Sequence, residues 1–139
     1  MSLQAVADYV RALPEVTEGT RYGNRTWFVA GKGFAWERPL SKADIKRFGD
    51  EPIPQGPLLA VMVADLDEKE AVLAEGQKGV FTIQHFQGYP AVLIQLALAS
   101  RKTVKDLVLD GWLACAPAGL AKEYLASLRR RPSPRNRPR

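Results

Sequence analysis

The stretch from Thr26 to Trp36 constrains the fold more than any other part of the chain. Thr26-Trp27-Phe28-Val29 and Phe34-Ala35-Trp36 are β-prone runs on either side of Gly31-Lys32-Gly33. β-branched and aromatic residues flanking a glycine-bearing turn predict a β-hairpin. A hairpin pairs its strands antiparallel, so the sheet it belongs to is at least partly antiparallel.

The remaining elements fit around that hairpin. Leu3, Val6, Val10 and Leu13 recur at helical spacing behind Ser2, a candidate N-cap, and Pro14 ends the run. Ser41 opens a short helix, with Asp44 where a capping-box acid belongs. Pro52, Pro54, Gly56 and Pro57 mark a loop, and Leu58 to Ala64 is a continuous apolar run that predicts a buried strand. Asp65 caps a further helix, whose early acids Asp67, Glu68 and Glu70 suit a helix N-terminus; Gly76 and Gly79 bracket its end. Val80 to Ile83 and Ala91 to Leu98 predict two more strands, separated by a loop carrying His85, Gly88 and Pro90. Thr103 and Asp106 begin a helix with Val104, Leu107, Val108, Trp112 and Cys115 on one face. Pro117 starts a last helix with Ala121, Tyr124, Leu125 and Leu128 on one face. The order of elements predicts an α+β fold: two layers, a mostly antiparallel sheet, and helices packed on one side.

A chain of 139 residues predicts one domain. At that size roughly two thirds of the unfolded surface can be buried, so no disulfide or metal staple is required. The single cysteine, Cys115, excludes a disulfide within the chain and fits a reducing, cytoplasmic setting. No charged segment followed by an apolar run marks a signal peptide at the N-terminus, and the apolar stretch from Pro57 to Ala64 is too short to span a bilayer.

The formal charge of +5 is unevenly placed. Residues 129–139 hold Arg129, Arg130, Arg131, Arg135, Arg137 and Arg139 with no acid; the remaining 14 basic and 15 acidic residues carry a net −1. The basic character therefore resides in the C-terminal segment. Its lack of apolar residues predicts a disordered tail over 129–139 behind a domain at 1–128.

Few residues have the pattern that chemistry needs. His85 is the only histidine, and no Cys or His lies at metal-ligand spacing; a loop-ordering role is the plainer reading. Cys115 on an apolar helix face reads as a small hydrophobe. Asp65, Asp67, Glu68, Glu70 and Glu75 do not match a calcium-loop spacing. Gly31-Lys32-Gly33 lacks the Walker pattern, since Phe34 stands where a hydroxyl is required. No catalytic residue, metal or cofactor is expected.

The informative segment is 21–48. Arg21, Arg25, Lys32, Arg38, Lys42, Lys46 and Arg47 stand against only Glu37 and Asp44, a local balance of +5. Tyr22, Trp27, Phe28, Phe34, Trp36 and Phe48 interleave with these cations. Alternation in a hairpin lets apolar residues face a core while cations stay outside, with Lys32 at the turn. Such a patch suits phosphate contacts to double-stranded DNA. An alternative is a small-molecule or protein site at the loop of His85, Phe86 and Tyr89, whose rings suit recognition.

The sequence resembles the MmcQ/YjbR family. Three stretches carry the likeness: Leu13-Pro14-Glu15-Val16-Thr17-Glu18, then Arg25 to Trp36, then Phe81-Thr82-Ile83-Gln84-His85-Phe86-Gln87-Gly88-Tyr89-Pro90-Ala91-Val92-Leu93-Ile94 followed by Asp110-Gly111-Trp112 and Ala116-Pro117. The likeness spans roughly residues 3–125. It implies a two-layer CyaY-like α+β domain and a DNA-binding role with a double wing of hairpins. Gly111 stands where the common family pattern has alanine.

Overall fold

Two tight turns organise the N-terminal half of the sheet. The computed structural model describes residues 1–130 and places strands β1 at Val16–Arg21, β2 at Asn24–Val29 and β3 at Lys32–Glu37. Tyr22 and Gly23 (φ 52° and 76°) join the first pair; Ala30 and Gly31 (φ 50° and 77°) join the second. Two consecutive positive φ angles are the signature of the hairpin turn whose twist matches that of the strands. The second turn is thus Ala30-Gly31, and Lys32, expected at the tip, instead opens β3 opposite Val29. β1 was not expected at all. Glu18, Gly19 and Arg21 break its alternation, and as an edge strand it stays largely exposed.

The sheet continues with β4 (Leu58–Met62), β5 (Val80–Phe81) and β6 (Ala91–Gln95) in the order β1-β2-β3-β4-β6-β5, every pair antiparallel. Both C-terminal strands are shorter than expected. The Gln95 carbonyl accepts from the amides of Leu98 and Ala99, which turns the chain out of β6. Ile83 leads into a 3-10 turn at Gln84–Phe86, which leaves β5 two residues long.

Helices α1 (Leu3–Arg11), α3 (Leu66–Ala74), α4 (Arg101–Cys115) and α5 (Ala118–Arg130) pack on one face. Side-chain caps start three of them: Ser2 accepts from Ala5 N, Asp65 from Glu68 N and Ser100 from Thr103 N. The cap of α4 therefore lies three residues before Thr103. Arg129 and Arg130 belong to α5, and the rest of the expected tail, 131–139, lies outside the described residues.

β4 and β6 are covered on both faces, which is why their sequences read as continuous apolar runs. Leu59, Val61, Val92 and Ile94 meet α1 and α4 in the main core, with Trp27, Phe34 and Trp112 fully buried beside them. Leu58, Ala60, Ala91 and Leu93 point the other way, into a second small core closed by Ile83, Phe86, Leu40 and Phe48. Phe48 caps the C-terminus of the short helix α2 (Lys42–Arg47), so helices on one side describes the four longer helices and not α2.

Gly111 explains how closely α4 approaches the sheet. A Cβ there would lie 3.0 Å from the Met62 carbonyl oxygen and 3.1 Å from that of Phe34. Only a glycine lets the helix rest on two adjacent strands at this distance.

Candidate nucleic-acid interface

Strand register decides which way each charge of the hairpins points. Glu18 opposes Trp27, Thr20 opposes Arg25 and Val16 opposes Val29, and these residues face the main core side. Thr17, Gly19 and Arg21 of β1 point the opposite way, with Asn24, Thr26 and Phe28 of β2. On β3 a bulge intervenes: Trp27 opposes Ala35 and Phe28 opposes Gly33, which leaves Phe34 as the extra residue. The bulge lets both Phe34 and Ala35 enter the main core, while Gly33 and Trp36 share the face of Phe28. Glu37 opposes Leu59 and so lies with the main core. The face shared with α2 therefore carries Arg21, Phe28 and Trp36 along β1–β3, and none of the strand positions on it holds an acid.

The seven cations picked out by sequence do not all share this face. Arg25 packs over the Trp27 ring at 5.3 Å and pairs with Glu18 at 3.2 Å on the main core side. Glu18 also takes Arg11 at 3.4 Å and the Trp27 indole N–H at 2.9 Å. The Arg25 hydrogen bond, joined by the Trp27 hydrogen bond and the two arginine charges, outweighs the opposing effect of burial, which is second only to that Arg25 bond, and holds the Glu18 carboxyl below its usual range. Lys32 sits at the other end of β2 from Arg21, on the Val29 side, where its charge acts on Cys115. Burial outweighs that charge and pushes the Cys115 thiol up.

Arg38 and Arg47 meet at Asp44 beside the second core, with Lys42 and Lys46 on the same short helix, while Arg21 shares only the sheet face, from β1. Arg38 lies 3.0 Å from the Asp44 carboxylate and Arg47 lies 3.5 Å from it. Asp44 is buried and closes a capping box with Ser41. Burial alone would raise the Asp44 pKa; hydrogen bonds from the Ser41 backbone and hydroxyl, with Arg38, win and hold it below its usual value. Arg38 also covers the Phe86 ring at 5.6 Å from its centroid. The two candidate sites thus touch: the basic segment meets the loop of His85, Phe86 and Tyr89 through Arg38. Lys42 and Lys46 are exposed on α2 and make no ion pair among the described residues. Asp50 and Glu51 follow α2 and offset part of its charge.

The aromatic loop forms a cluster of rings. Phe86 is buried, with Tyr89 at 5.6 Å and Trp36 at 6.3 Å between ring centroids; His85 is exposed beside it. Two clefts form elsewhere. One, of about 120 Å³, lies between α2 and the 3-10 turn and includes Asp44, Arg47 and Glu51. The other, of about 300 Å³, lies between α3 and α4 and includes Glu68, Asp110 and Leu113. Neither includes His85, Phe86 or Tyr89.

Sequence reasoning missed Lys69 of α3. Its side chain is buried, and its Nζ donates to the carbonyls of Phe86 at 2.6 Å and Tyr89 at 2.8 Å. Burial lowers its pKa. The only sequence signal was its spacing from Val72, which puts a lysine on the buried helix face. Among the described residues, no group of three or more His, Cys, Asp or Glu side chains is placed to hold a metal ion, and no helix is long and apolar enough to cross a membrane.

The family model for YjbR matches residues 11–114, a span that runs from the end of α1 almost to the end of α4. The chain belongs to the YjbR family. That YjbR segment contains the whole six-stranded sheet and both halves of the candidate interface. Relatives in Mycobacterium bovis and in two strains of Mycobacterium tuberculosis, each described as an uncharacterized protein, are 39% identical to it over 125 residues. The alignment covers 88% of this chain and 94% of each relative. No solved structure matches the chain.

Proposed function

We propose that the α2-side face of the sheet binds double-stranded or single-stranded DNA through its phosphates, without catalysis and largely without reading sequence. The observation that carries this reading is the sorting of charge by strand register. Glu18 and Glu37 lie on the main core side, while Arg21 and Arg38 share the other side with Lys42 and Lys46 of α2. The body as a whole is slightly acidic, so binding depends on this local separation and not on net charge. Arg38 and Arg47 are engaged by Asp44, which leaves Arg21, Lys42 and Lys46 as the freest phosphate contacts. Arg25 and Lys32 have no part in this face. Phosphate contacts position a protein on DNA and carry no base information.

Fluorescence anisotropy of the full-length chain with labelled DNA over a salt series tests this. Each phosphate contact contributes about 0.9 to the log–log salt slope. Substituting Arg21, Lys42 and Lys46 together by Gln lowers the slope by about 2.7. Lys32→Gln leaves it unchanged. Equal effects from the triple variant and from Lys32→Gln would mean that attraction is diffuse or belongs to the C-terminal arginines, and the face would not be the site.

A further inference from the structure

Phe28 is the one aromatic within strands β1–β3 that joins neither core among the described residues. Trp27 and Phe34 are buried in the main core, and Trp36 packs against the second. Phe28 is only part-buried, on the acid-free face. On β1 its direct partner on that face is the short side chain of Thr17. Gly33 opposes it on β3, and Gly19 lies diagonally across on β1. A Cβ on Gly19 would come within 3.3 Å of the ring, and one on Gly33 within 3.7 Å. The ring therefore reaches across the space that side chains at both glycines would fill, and it stays part-exposed. The Arg21 guanidinium reaches over Gly33 beside it, within 2.9 Å of where a Cβ would stand. Trp36 is the next aromatic on the same face, one strand across and about 7–8 Å away by sheet geometry.

Resting on the phosphate-binding reading above, we infer that this face takes single-stranded nucleic acid, with an unpaired base stacked on Phe28 and an adjoining phosphate on Arg21. A part-exposed aromatic ring on a sheet face, beside a cation and with no acid among the strand positions, suits the combination of stacking and charge that non-specific single-strand binders use. A duplex keeps its base faces inside the stack, so it has nothing to lay on Phe28 and gains only the phosphate contacts. An unpaired base offers both. Charge complementarity selects a polyanion over a neutral aromatic ligand, because the Arg21 guanidinium lies over Gly33 beside the ring and the strand positions of this face hold no acid. The same glycines give the ring a stabilising job in the sheet, so the test keeps an apolar cover over them.

The experiment uses the full-length chain, a labelled twelve-nucleotide oligothymidine and a hairpin duplex of the same total charge, at one salt concentration. Wild type binds the single strand more tightly than the duplex. Phe28→Leu, which keeps the cover but removes the π-face, weakens single-strand binding by about fivefold or more and leaves duplex binding unchanged. Thermal unfolding of Phe28→Leu confirms that the fold persists. A second readout uses Trp36, the part-exposed tryptophan; Trp27 and Trp112 are fully buried. Stacking of a base beside it quenches its emission on oligothymidine addition, and Trp36→Phe abolishes the quench. Equal or tighter duplex binding, or a Phe28→Leu effect that is the same on both probes or absent from both, overturns the single-strand inference while the phosphate reading stands. Failure of both probes to bind overturns both.

Discussion

Arg38 and Asp44 form a tightly held pair: 3.0 Å apart, with the aspartate side chain only 1% exposed. The pair ties the end of β3 to α2 and, through the guanidinium over Phe86, to the aromatic loop. It makes Arg38 a structural cation first, which is why a count of arginines overstates the charge free for a ligand.

Asp44→Asn tests that pair. Because the folded carboxyl lies below its usual pKa, its contribution is fully present above about pH 4, the unfolded value, and is lost as pH falls through the lower folded value. At pH 7 the variant is expected to lose about 1–2 kcal/mol in urea unfolding. The gap to wild type closes in acid, below about pH 4. A gap that stays constant down to pH 2 would show that Asp44 acts through shape and not charge.

Gly111→Ala should destabilise the chain by about 1–3 kcal/mol despite a gain of about 1 kcal/mol in helix propensity. The new methyl meets backbone oxygens of Met62 and Phe34, which cannot rotate away. Gly119→Ala in α5 is the control, since nothing lies within 4 Å of a Cβ there. It should be neutral or slightly stabilising. Calorimetric midpoints of the two variants should therefore move in different directions, or Gly119→Ala should stay still while Gly111→Ala falls.

Tyr22→Asn should raise the thermal midpoint, by the equivalent of about 0.5–1 kcal/mol. Tyr22 holds φ 52° with its side chain 94% exposed, so it bears backbone strain with no burial in return. Asn tolerates that conformation better, and Asn-Gly is the preferred pair for this turn. A lowered midpoint would mean that the Arg21 contact with the Tyr22 ring, 6.0 Å to its centroid, outweighs the strain.

Lys69→Met should change the alkaline limb of the stability curve. Burial lowers the folded pKa of Lys69, so between that value and about 10.4 the unfolded chain binds the extra proton. Wild type therefore gains stability relative to Lys69→Met as pH rises through this window. The loop should survive the substitution. The Phe86 carbonyl also accepts from Tyr89 N, and the Tyr89 carbonyl from Ala91 N. Parallel urea curves at pH 8 and pH 10.5, with an unchanged difference between the two proteins, would count against a buried ammonium.

Several features were legible in the chain alone because they depend on neighbours in sequence. The β2–β3 hairpin, the Ser41–Asp44 capping box, the Asp65 cap and the doubly buried strands at Leu58 and Ala91 all rest on spacings of a few residues. So does the concentration of arginine at the C-terminal end. β1 escaped because an edge strand exposed on both faces needs no apolar alternation. What only the tertiary structure decided is direction and partnership. The bulge at Phe34 and the two-residue turns determine which face each hairpin residue takes; they send Arg25 and Lys32 one way and Arg21, Phe28 and Trp36 the other. Ion pairs such as Arg25 with Glu18, and the reach of Lys69 to Phe86 and Tyr89, join residues that are apart in sequence. A sequence records which charges exist, but their free energy depends on distance and burial, and those are set when the sheet and helices close on each other.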